Sequence, residues 1–166
     1  MPTSFLLSIP HFSGPSSIPG YLNRYFVESF SQDFDQTVSI SQSGGAGAGK
    51  VTFNTLSLTL TNDPSLALLF EYLCSGSPLS SKATPMILVA VDVSGDRAVR
   101  FQQYTFGISA LKSINYSSDY MSLTVLIEVG QFNIKTWPIS QNGATPPNFV
   151  EAGWDRVANK SWHIPL

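Results

Sequence analysis

Most segments of this chain carry apolar residues at every second position, and that alternation constrains the fold more than any other feature. It is the pattern of half-buried strands. Phe5, Leu7 and Ile9 alternate near the start. Val51 and Phe53 are followed by Leu56, Leu58 and Leu60. "MILVAVDV" (86–93) is a near-continuous β-rich run, with "SGDR" after it as a turn. Val99 and Phe101 precede Tyr104, Phe106 and Ile108. Leu123, Val125, Ile127 and Val129 precede Phe132 and Ile134, with Gly130 between. Each of the three long runs changes phase once, the first near Asn54. A bulge, or a strand that changes the face it buries, has that effect. The runs therefore predict bent strands, as in a small β-barrel or closed sandwich of two sheets.

One segment departs from the pattern. "NDPSLALLFEYLCSG" offers Asp63 as N-cap, Pro64 at the first helical position and Gly76 past the end, which predicts a single flanking helix at about 63–75. Leu66, Leu69, Phe70 and Leu73 form one apolar stripe, while Leu68 and Tyr72 lie off it and are free to face a partner. Cys74, near the end of this helix, reads as a buried or half-buried structural thiol. "SQNGATPPNF" (140–149) reads as a loop, with a turn at Asn142-Gly143.

The length of 166 residues fits one domain, 1–166, with no linker to divide it. At that size folding hides roughly 70% of the chain's surface, enough for a core without staples. A single cysteine rules out an intrachain disulfide. The start lacks a basic leader, and the longest apolar run is far below the ~20 residues that span a bilayer. A cytoplasmic protein is expected, with no membrane insertion; export, if any, would act on the folded chain. Net charge is −2 with no basic stripe, which disfavours nucleic acid. Charged residues make up 12% of the chain, about half the ordinary fraction. Two readings stay open: a monomer with a neutral surface, or a protein that packs against copies of itself.

"SISQSGGAGAGKVTF" (39–53) nearly matches a phosphate-binding loop, with Gly44, Gly49 and Lys50 at G-x-x-x-x-G-K. The next residue is Val51 where Ser or Thr must reach the metal, and an alternating strand follows instead of a helix. The match fails on both counts. The segment reads instead as a flexible connection between strands, ordered by a neighbouring subunit. No G-x-S-x-G elbow is present, His11 and His163 lie at opposite ends of the chain, and "DVSGD" (92–96) fits a β-turn better than a calcium loop. Nothing argues for an enzyme, a cofactor or a metal.

The glycine run ending "GAGKV", the single helix "DPSLALLFEYLCSG", the closing "AGWDRVANKSW" (152–162), and "FLLSIPHFSG" with "YFVESFSQDF" together resemble the Hcp family of bacterial type VI secretion. The resemblance runs from Phe5 to Trp162. It implies a two-sheet β-barrel with one flanking helix, assembled as homohexameric rings that stack into a hollow tube. It also implies sheath, spike and baseplate partners, small effector proteins in the lumen, and secretion without a signal peptide. The extended loop, Ser39, Ser41, Gln42, Gly44, Gly45, Gly47, Gly49 and Lys50, would contact a neighbouring subunit or ring. Ser31 and Gln32 would face the lumen, with Gln32 where the family usually has tryptophan. "NYSSDY" is shorter and less charged than the family's loop there. Trp154 and Trp162 are expected to anchor the C-terminal segment. A tail-tube protein of a phage or related injection particle, and a monomeric β-barrel ligand carrier, are the alternatives. Against the carrier, Leu123, Val125 and Ile127 read as packed core.

Overall fold

Alternation becomes strand along nearly the whole chain. The computed structural model describes residues 3–40, 46–138 and 147–164, with the backbone alone at 39–40 and 46–49. The elements run β1 (Thr3–Ser8), β2 (Tyr25–Ser31), β3 (Phe34–Ile40), β4 (Ala46–Phe53) and β5 (Leu56–Thr61). A 3-10 turn (Pro64–Leu68) leads into α1 (Leu69–Ser75), followed by β6 (Pro78–Ser80), β7 (Met86–Ser94), β8 (Arg97–Asn115), β9 (Ser122–Thr136), β10 (Val150–Asp155) and β11 (Lys160–Ser161).

Nine strands form one antiparallel sheet, ordered β11-β10-β9-β5-β2-β1-β7-β8-β6. β8 also pairs with β9, so the pairings return on themselves through β1, β2, β5, β9, β8 and β7. The interior holds Leu7, Tyr25, Leu56, Leu58, Leu60, Leu88, Phe106, Leu123, Val125 and Ile127, all buried. The second sheet is not the other half of a sandwich. It is a hairpin, β3 with β4, standing apart from the main sheet.

That hairpin explains the first phase change. Phe53 ends β4, Leu56 begins β5, and the two strands belong to different sheets; the break at Asn54–Thr55 is a corner between strands. The second slip is a bulge: Val91 faces Arg100 and Ala90 faces Gln102, which leaves Phe101 as the extra residue. The third changes face without an extra residue. Val129 lies opposite Ser109 and Gln131 opposite Gly107. Between those pairs Ile108 takes a φ of 50°, and Phe132 then packs against the core while Gln131, Asn133 and Lys135 turn to the other face.

The helix begins and ends as its sequence dictates. Asp63 accepts the Ser65 N–H at 3.0 Å, and Gly76 closes it at a φ of 69°. Its first turn is 3-10 rather than α, with three residues per turn, and this rotates the stripe. Leu66 and Leu69 are buried, but Phe70 is 55% exposed. Tyr72, expected to face outward, packs edge-on against Phe12 with ring centres 5.1 Å apart. Leu68 does face solvent. Cys74 is exposed, not buried, and Leu73 beside it is half-buried. The turn at 142–143 lies outside the described residues. Between β7 and β8, Gly95 at a φ of 60° supplies the left-handed residue of a two-residue hairpin loop.

The candidate assembly surface

The glycine-rich segment is less of a loop than its composition suggests. Ser39 pairs with Gly47 and Val38 with Ala48, so Gly47, Gly49 and Lys50 belong to β4. The register then slips: Gln36 faces Val51, which puts an extra residue in β4 beside Gly49 and Lys50. A strand therefore runs where a phosphate-binding loop would need a helix. Ser41, Gln42, Gly44 and Gly45 lie outside the described residues.

The root of this arm is fixed from two sides. On one side Phe34 meets Phe53 edge-on at 4.9 Å and Phe132 at 4.7 Å. Phe132 continues the ring contacts inward to Phe106 at 5.7 Å, so arm and core share an aromatic seam. On the other side the corner residues are laced by hydrogen bonds. Gln32 Nε2 donates to the Asn54 carbonyl at 2.5 Å, Asn54 Nδ2 to Asp35 Oδ2 at 2.6 Å, and the Asn54 N–H to the Asp33 carbonyl at 3.0 Å. Arg156 Nη1 donates to the Phe53 carbonyl at 3.2 Å. It also lies 3.9 Å from Glu128, which pairs with Lys112 at 3.4 Å. Ser31, at the end of β2, is exposed; Gln32 is half-buried, with its amide committed to the corner. The sequence had no signal for this strut, because its partners are main-chain carbonyls.

Two apolar surfaces flank β5. At the arm end, a groove of about 290 Å³ is lined by Phe34, Val51, Phe53, Phe132, Ile134 and Trp154, and Val38 projects from the arm at 55% exposure. At the other end, a cleft of about 480 Å³ lies between the start of the helix and the β8–β9 turn, lined by Pro64, Leu66, Ala67, Tyr116, Tyr120 and Met121. Tyr116, Tyr120 and Met121 are all exposed there, and Leu68 is exposed on the adjoining 3-10 turn. A strand of this length separates the two surfaces by about 17–20 Å.

The outer face of β9 and β10 carries buried polar groups beneath the C-terminal segment. Gln131 Nε2 donates to Asp155 Oδ2 at 2.6 Å, and the Ala158 N–H donates to Asp155 Oδ1 at 2.9 Å. Asn133 Nδ2 donates to Glu151 at 2.7 Å and to the Trp162 carbonyl at 3.1 Å. Burial raises the Asp155 carboxyl, but hydrogen bonds from Ala158, Gln131 and Val157 outweigh it and hold the group below the usual aspartate range. Burial also raises Glu151, and the Ile164 N–H, Asn133, Lys135 and His163 more than offset it, so that carboxyl too is lowered. Trp162 is buried, whereas Trp154 is 37% exposed and faces the groove. One tryptophan anchors the segment and the other belongs to the surface. Among the described residues, no group of three or more His, Cys, Asp or Glu side chains is placed to hold a metal.

The sequence profile described as type VI secretion system effector, Hcp, matches residues 6–136. The chain belongs to the Hcp family. It is a tube protein of type VI secretion, from a structural family that is secreted by that system and interacts with itself and the secretion apparatus. The fold is shared with a solved type six secretion system protein at a TM-score of 0.81 and 19% identity, covering 97% of this chain and 100% of that one. Hcp1 from Salmonella typhimurium aligns at a TM-score of 0.71 and 21% identity, over 98% and 100% of the two chains. Hcp2 from the same organism aligns at 0.63 and 21%, over 95% and 98%. No protein of curated function matches the chain in sequence.

Proposed function

We propose that this Hcp chain, folded as one unit, closes into homohexameric rings that stack into the inner tube, carries small effectors in the lumen and is itself exported. The observation that carries the reading is the arm: a two-stranded sheet apart from the main sheet, fixed at its root, with an exposed apolar residue. Two unlike apolar surfaces on one chain suit head-to-tail contact, which closes a ring when the rotation returns on itself. The arm of one copy meets the surface around the helix of the next, or of the ring above, through the segment Ser39–Lys50. Unpaired strand edges that invite aggregation on a monomer then become assembly contacts. Ser31 and Gln32 lie at the lumen side of the arm root, and the sheath, spike and baseplate engage the assembled tube. The role needs no catalytic group.

The test is the absolute mass of the purified protein with negative-stain imaging of the same fraction. A hexamer mass with rings around a central hole is expected, and a monomer at every concentration would sink the reading. Deleting Gly44–Gly49 shortens the arm but should spare the main sheet, and should weaken stacking; Val38→Asp and Tyr120→Asp should each lower assembly.

A further inference from the structure

The outer face of β1 and β7 holds a second small apolar cluster, Leu6, Val89 and Val91, capped by Tyr21 and Phe26. Two arginines stand on that face. Phe26 pairs with Leu6, so Arg24, two residues earlier, falls on the same side. Arg100 pairs with Val91 and shares its face. The Arg24 guanidinium lies 5.2 Å from the centre of the Tyr21 ring, and that of Arg100 lies 4.0 Å from the centre of Trp137. Arg100 Nη1 is further held by Gln103 Oε1 at 2.8 Å. Each fork is therefore oriented by an aromatic plate.

Neither has an ion-pair partner among the described residues. Arg24 Nη1 and Arg100 Nε are buried donors without a hydrogen bond, and such donors on a cation are costly. The carboxylates of the strands that pair with β2 and β8 are engaged elsewhere: Glu128, on β9, lies against Lys112 and Arg156. Asp92 accepts from Thr3. Burial is the main reason the Arg24 pKa is lowered; Tyr21 pulls it back up, and the charge of Arg100, the smallest of the three effects, lowers it again. Two like charges thus share one face of a chain poor in charge, and both side chains remain half-exposed.

We propose that Arg24 and Arg100 form a two-guanidinium site for an oxyanion group, a phosphate or carboxylate bridging the two forks. Planar forks match such groups in bidentate geometry. The group comes either from a free small anion or from an acidic side chain of another copy of this chain. The site depends on the fold alone and stands whether or not the chain builds tubes.

Inorganic phosphate is the probe, titrated into the purified protein by calorimetry with sodium chloride balancing ionic strength. Saturable binding at one site per chain is expected, weakened by about tenfold or more in Arg24→Gln and in Arg100→Gln. Arg100→Lys keeps the charge and loses the fork; it is the second variant should Arg100→Gln lose its packing on Trp137, and it too should bind phosphate more weakly. If phosphate does not bind, sedimentation at several protein concentrations separates the second source. Self-association weakened by Arg24→Gln and Arg100→Gln, but not by Lys112→Gln, assigns the site to a carboxylate of a neighbouring copy. Phosphate binding unchanged in the variants, or neither binding nor a variant-sensitive self-association, overturns the site.

Discussion

Ile108 and Gly130 sit across from each other in the middle of the two longest strands, and a Cβ on Gly130 would stand 3.2 Å from that of Ile108. Ile108 has a φ of 50°, a conformation that a β-branched residue adopts only under strain. Both strands change their buried face at this pair, and the main sheet bends there. Gly130→Val should destabilise by about 1–3 kcal/mol, since the added carbons have no room. Ile108→Asn should raise the unfolding midpoint slightly, because asparagine tolerates the left-handed region and the side chain is 41% exposed. Urea unfolding of both variants checks the pair; a midpoint lowered by Ile108→Asn would show that the isoleucine is held for its contacts.

The aromatic seam at the arm root predicts an asymmetric pair of effects. Phe53 is buried in the core, so Phe53→Ala should cost about 3–5 kcal/mol. Phe34 is partly exposed and gives up mainly its ring contacts, so Phe34→Ala should cost about 1 kcal/mol. Phe34→Ala is therefore the variant in which the arm loosens while the body stays folded. Equal losses for the two would mean that the arm root and the core unfold as one layer.

How much of this was legible follows from which contacts are local. Strand periods, the Asp63 cap and the Gly76 stop are written in neighbouring residues, and each is where the sequence puts it. Phe70 and Tyr72 were misread because the period assumed was 3.6, while the first turn is 3-10 with three residues per turn. Cys74 was misread for the same reason. The break at Asn54 was seen as a slip within one strand, since period cannot tell a bulge from a corner between two sheets. The Gln32 strut and the unpaired arginines depend on contacts between distant segments, and spacing carries no trace of them. Family membership was legible from motif order; the arm's strand structure was hidden by its glycines.

The C-terminal segment should come loose in acid. Asp155 and Glu151 have folded pKa values below their unfolded ones, about 3.9 and 4.3. Their contribution is therefore complete above those unfolded values and is lost as pH falls through the folded ones. Stability should be flat near pH 5 to 7 and fall below about pH 4. Tryptophan emission should report the change, because Trp162 is the buried anchor of that segment. Asp155→Asn should be less stable at neutral pH and show a shallower acid slope. Identical slopes for variant and parent would put the acid sensitivity in other carboxylates.

Gly153 gives the same segment a steric test. A Cβ there would strike the Trp162 carbonyl oxygen and come within 2.7 Å of the Asn133 amide. The obstruction is partly main chain, so it cannot swing aside. Gly153→Ala should cost about 1–3 kcal/mol and free the segment to limited proteolysis near 156–164 at neutral pH. Resistance equal to the parent's would mean that β11 moves with the added carbon.

Cys74 turns the helix into a reporter of assembly. Its thiol is exposed and is the only one in the chain, so a thiol reagent should titrate one equivalent per chain without denaturant. The residue lies on the same helix as the exposed Phe70, next to exposed Leu68. Contact of that surface with another copy would cover the thiol, and modification should slow as protein concentration favours the ring. The comparison needs one reagent excess and two protein concentrations, with mass measured alongside. Slowing that tracks the hexamer fraction places the helix at a subunit contact. A rate independent of assembly leaves the helix facing solvent in the ring and moves the contact to the groove beside Trp154.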